Sequence, residues 1–217
     1  MISDRVPINC LGLERLHKEV ASSALHNSGE RFDLPKCHPN TRLAVLSKIL
    51  DWVLDNAGRD ALIMWLYGPA GAGKSAIAQT IAEKLYAKKL LLASFFFSRS
   101  DAKRNHEKSL IATIAYETAL IISETKAAIE KVVDDDPALF GRSLEAQFTT
   151  LVIEPLLQLK DSGYFIRNPS ARVIVIDGLD ECNNPEVQCY ILCGRPQFYI
   201  DGSTQHKELA LLCFKSM

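Results

Sequence analysis

The stretch Gly68-Pro69-Ala70-Gly71-Ala72-Gly73-Lys74-Ser75 constrains this chain more than any other. It follows the apolar run "ALIMWLY" (61–67) and leads into "SAIAQTIAEKLYAKK" (75–89). The eight residues fit G-x-x-x-x-G-K-[ST], a loop whose backbone N–H groups surround phosphates. Glycines belong there because a Cβ would block the approach of backbone to anion. A helix opening near Lys74 aims its positive N-terminus at the same ligand. Lys74 can set a charge on the β- and γ-phosphates, and the Ser75 hydroxyl can ligate Mg²⁺. Such a loop needs a buried strand before it and a helix after it.

The remaining periodicity supplies that setting. "LLLASFFFS" (90–98) and "ARVIVIDGLDEC" (171–182) are further apolar runs, suited to strands buried on both faces of a parallel sheet. Helical spacing of apolar residues runs from Leu43 to Ala57, with Gly58 as its stop and Asn40 or Thr41 as its cap. It recurs over 75–89, 107–122 and 124–133, and again from Ser143, where Leu144, Phe148, Leu151, Val152 and Leu156 share a face. Pro155 is expected to kink or end that last helix. "SGYFIRNPS" reads as loop, and residues 1–34 read as a linker with one short helix. Strands alternating with helices predict an α/β fold of three layers, a parallel sheet covered on both sides.

A phosphate loop needs a carboxylate on a neighbouring strand to hold Mg²⁺. "VIVID" ends in Asp177, at the sheet edge where α/β proteins bind ligands. A strand-terminal Asp can also simply cap the turn before Gly178. Asp180 and Glu181 follow, and either can orient water toward a γ-phosphate or form a solvated acidic turn. Three other features carry less. Cys37-His38 has no second ligand pair, so it reads as a loop dipeptide. "DDDP" (134–137) reads as a break between helices, and "FFFSR" as a core strand with Arg99 at its exit.

Net charge is −1 and no basic run occurs, which argues against a nucleic-acid or membrane-surface partner. No signal-peptide or membrane-span pattern is present. The six cysteines lack C-x-x-C spacing and read as reduced thiols, so a cytoplasmic location is expected.

"GPAGAGKS", "VIVIDGLDEC", "FFFSRSDAKRN" and the preceding "CHPNTR" together resemble NACHT-type NTPases of the STAND class, in particular the fungal branch with a nephrocystin-like N-terminal module. The resemblance spans 35–200. It implies an additional-strand P-loop NTPase fold with strand order 5-1-4-3-2, ATP or GTP with Mg²⁺ as ligand, and slow, switch-like hydrolysis in signal transduction. It also implies association of copies through this module in a full-length form. Carried onto this chain, Gly68, Pro69, Ala70, Gly71, Ala72, Gly73, Lys74, Ser75 and Ala76 hold the nucleotide. Ser75 and Asp177 hold Mg²⁺, Glu181 and Asp180 orient water, and Pro39 to Arg42 lie near the base. The sensor strand is expected at "CYILCGRPQFYI" (189–200), with Arg195 as the sensor. Residues 201–217 then form an atypical tail, and the C-terminal part of the sheet is incomplete, as in a truncated product. Two alternatives remain open: a fragment that only binds nucleotide or has no function, and a small-molecule kinase. The absence of N-K-x-D favours ATP over GTP.

Overall fold

The structure, a computed structural model, describes residues 11–30, 34–54, 63–168, 172–184 and 209–216. Four parallel strands form its centre: β1 (Ile63–Gly68), β2 (Leu91–Phe96), β3 (Arg172–Asp177) and β4 (Leu209–Ser216). Their order across the sheet is β1-β4-β3-β2, with Trp65 opposite Cys213 and Val175 opposite Leu212. This is the 1-4-3-2 part of the expected order, and no strand lies beyond β1 among the described residues.

Alternation along β3 divides the core. Val173 and Val175 face one side with Phe96, against Leu46, Ile49 and Val53 of α2 (Leu43–Leu54) and Ile77, Ile81 and Leu85 of α3 (Lys74–Ala87). Ile174 and Ile176 face the other with Phe95 and Phe97. There they meet α4 (Lys108–Ile121), α5 (Lys126–Asp135), α6 (Leu144–Phe148) and α7 (Glu154–Asp161). Two buried faces explain why β2 and β3 read as unbroken apolar runs rather than alternating ones.

Four expectations change. Residues 11–30 are not a tether: α1 (Leu11–Glu19) and the turn after it put Leu16, Ala21 and Ala24 in the core, fully buried. A Cβ on Gly12 would run into the Glu130 carbonyl of α5, so the two helices touch through backbone. Residues 209–216, read as tail, are the central strand β4. About thirty residues separate Asp177 from Leu209, room enough for a parallel crossover, whereas a strand at 189 left about a dozen. A short run of leucine and alanine such as "LALLCFKS" suits helix and strand alike, so its pattern does not mark it as a strand. The 189–200 segment, with Arg195, lies outside the described residues.

Pro155 does not end its helix. Between α6 and α7 the backbone widens into a π turn over Thr149–Ile153, and Pro155 sits in the first turn of α7. The residues before it are already helical, so its missing N–H is a bond the run goes without, and the widened turn accommodates that loss in place of a break. Tyr164–Arg167 form a short helix, α8, rather than loop, because Phe165 is buried against the core.

Candidate functional site

The C-terminal ends of β1 and β3 and the N-terminus of α3 enclose a cleft of about 540 Å³. Its walls include Gly71, Gly73, Lys74, Ser75, Arg99, Asp177 and Glu181. The glycine-rich loop turns twice through left-handed backbone, at Gly71 (φ +78°) and Gly73 (φ +81°), where a side chain would be strained. Gly73 stands immediately before α3, so the first N–H groups of that helix have no helical acceptor. The Lys74 ammonium folds back over the loop, donating to the Gly68 carbonyl (3.0 Å) and the Pro69 carbonyl (2.8 Å). Of its three donors, two are spent on holding the charge at the mouth of the cleft.

Asp177 ends β3 with its side chain nearly buried at 5 % exposure. Its carbonyl accepts from the Phe97 N–H (2.9 Å), which brings the exit of β2 alongside the acidic turn. Gly178 then takes φ +70°, and a Cβ there would lie 3.1 Å from the Phe97 carbonyl oxygen. Glycine is therefore required by backbone alone. Gly178→Ala should lower stability by roughly 1–3 kcal/mol; an unchanged melting temperature for the purified variant would contradict this.

Beyond Gly178 a single turn (Leu179–Glu181) buries Leu179 and lifts Asp180 and Glu181 to the cleft. Arg99 links to both. Its backbone N–H donates to Glu181 Oε2 (2.9 Å), and its guanidinium donates to the Asp180 carbonyl (3.1 Å). Arg99 thus lies in the cleft wall as well as at the exit of the core strand. Its loop is braced by Asp101, which accepts from Arg104 Nε (2.7 Å), the Lys103 N–H (2.9 Å) and the Ser23 hydroxyl (3.0 Å). Burial alone would raise the Asp101 carboxyl, but these donors hold it below the usual range.

The donor set fits a magnesium–polyphosphate ligand. Among the described residues no group of three or more His, Cys, Asp or Glu could cage a metal. Mg²⁺ with phosphates needs no such cage, since one or two carboxylates and a hydroxyl suffice while water and phosphate fill the remainder. Ser75 and Asp177, on one cleft, are such a pair. Pro39 to Arg42 place one group here: the Arg42 guanidinium donates to the Ala72 carbonyl (3.0 Å). Cys182 is packed in the core, and burial raises its thiol pKa.

A parallel α/β sheet with a glycine-rich loop and an acidic strand end at one edge is the class that fold and site define. Residues 43–201, well over half of the chain, match the family described as "Nephrocystin 3, N-terminal", and the chain belongs to that family. No curated protein and no solved structure matches it. Among the described residues no helix is long and apolar enough to cross a membrane.

Proposed function

We propose that this chain binds a nucleoside triphosphate, ATP in preference to GTP, with Mg²⁺, and hydrolyses it slowly as the switch module of a signalling protein. One observation carries the reading. Lys74 and Ser75 lie about a hundred residues from Asp177 in sequence, yet all three line one cleft with the open N-terminus of α3. Lys74 neutralises phosphate charge, the loop amides hold phosphate oxygens, and Ser75 with Asp177 orient the metal. When bound, Mg²⁺ supplies charge neutralisation on the phosphates. Glu181, with Asp180, is the group that aligns water, with Oε2 accepting from the Arg99 N–H and acceptor positions left over for water. That bond ties the carboxylate into the cleft wall, which suits slow turnover and a second reading, binding without turnover. Association of copies through this module belongs to the same proposal.

Mg-ATP at about a hundred times its Kd adds about 2.7 kcal/mol to the folded state. For a chain of this size the melting temperature should rise by about 5–10 °C. No rise at millimolar Mg-ATP would end the proposal. Steady-state turnover should fall below about 1 s⁻¹, the low end for enzymes, and turnover equal to an Asp177→Asn background would select the second reading.

A further inference from the structure

Segment 34–42 is laid along α3, and three contacts fix its register. Lys36 pairs with Glu83 (2.8 Å), the Cys37 N–H donates to the Thr80 hydroxyl (3.0 Å), and Arg42 reaches Ala72 in the loop. Between the last two contacts the chain turns tightly: the Thr41 N–H and hydroxyl both donate to the His38 carbonyl (3.0 and 2.7 Å). The hydroxyl expected to cap α2 is spent on this turn. Asn40 (φ +62°) and Arg42 (φ +57°) both hold left-handed backbone. Asn tolerates that region, but Arg does so at a cost of about 1–2 kcal/mol. Lys89 is the other such residue among the described ones. Strain of this kind persists where surrounding contacts over-determine it, and it clusters at ligand sites.

Arg42's target explains what the strain secures. The Ala72 carbonyl and the Gly73 N–H belong to one trans peptide, so they point in opposite directions. Gly73 populates positive and negative φ about equally, so this peptide, like the one before Gly71, can flip at little cost. We propose that Arg42 is a positioning residue for the phosphate loop: by holding the Ala72 carbonyl outward, it turns the Gly73 N–H inward toward the ligand's phosphates. This inference rests on reading the cleft as a phosphate site. Arg42 is exposed, so its removal leaves the core intact.

The test uses the full chain with Mg-ATP, Mg-ADP and inorganic tripolyphosphate as probes, measured by calorimetry. Arg42→Ala should weaken all three by the same factor, about tenfold for a lost hydrogen bond from a charged donor, while the ligand-free melting temperature falls by no more than about 5 °C and unfolding stays cooperative. Arg42→Lys should recover part of the loss. A loss confined to nucleotides would mean contact with the base, and a loss larger for ATP than for ADP would mean contact with the γ-phosphate. Either result overturns the positioning role, as does unchanged affinity. Ligand-free protein provides an independent readout: the Gly73 amide should gain millisecond exchange broadening in Arg42→Ala. Unchanged relaxation at Gly73 rejects the clamp whatever the ligands do. If the wild-type chain binds none of the three probes, the phosphate-site reading fails, and the clamp still stands or falls on Gly73.

Discussion

Lys74→Ala should reduce affinity for Mg-ATP by at least about a hundredfold and abolish the ligand-induced rise in melting temperature. At an effective dielectric of about 20, one unit charge about 4 Å from another contributes about 4 kcal/mol. Partial solvent screening brings this to about 3 kcal/mol, and each 1.4 kcal/mol is a factor of ten in Kd. A second effect acts in the same direction. Lys74 bridges the Gly68 and Pro69 carbonyls, so its removal also loosens the entrance of the loop. The ligand-free variant should keep its fold, because Lys74 is only half-buried and the core face of α3 is made by Ile77, Ile81 and Leu85. Calorimetry on both proteins with Mg-ATP checks the prediction. Binding that survives at wild-type strength would place any nucleotide outside the cradle.

Some of this site was legible in the sequence because chemistry dictates residue types at fixed spacing. The loop needs glycine where backbone meets anion, and lysine and hydroxyl where phosphate and metal sit. Asp177 was legible because it ends an apolar run. Arg99 reads only as the exit of a core strand, and Arg42 enters only through the resemblance that sets Pro39 to Arg42 near the base, since a lone arginine carries no spacing signal. Arg99 enters the cleft because β2 lies beside β3 in the parallel order, and Arg42 because segment 34–42 lies along α3. Gly178 invites a functional reading, yet the Phe97 carbonyl beneath it explains the glycine. The fold divides in the same way. Runs buried on both faces, as in β2 and β3, stand out against any background. The burial of α1 does not, because it depends on α5 offering backbone opposite Gly12.

Two polar residues break apolar elements: Ser94 inside β2 and Glu117 inside α4. They meet in the core. Ser94 is fully buried on β2, and its N–H donates to Glu117 Oε2 (2.6 Å) while its hydroxyl accepts from the His26 N–H (3.0 Å). The His26 ring nitrogen Nδ1 also lies 3.1 Å from that hydroxyl. Burial pushes the Glu117 carboxyl up to about 7, against the opposing pull of the Ser94 hydrogen bonds. Because the folded pKa lies above the unfolded value, the folded state binds the extra proton between about pH 4.5 and pH 7. Stability from this group is therefore complete below the unfolded value and is lost as pH rises through about 7. The loss is on the order of 3 kcal/mol at pH 8. Glu117→Gln removes the titration while keeping a carbonyl oxygen for the Ser94 N–H. The variant should melt several degrees above wild type at pH 8 and close to it at pH 5. The difference between the two proteins is the quantity to follow, because Asp101 and Glu83 act in the opposite sense. Burial raises both carboxyls, yet their hydrogen-bond donors hold them low, so their contributions fade as pH falls. A Glu117→Gln variant less stable than wild type at pH 8 would show that the charged hydrogen bond to Ser94 outweighs the cost of burying the carboxylate.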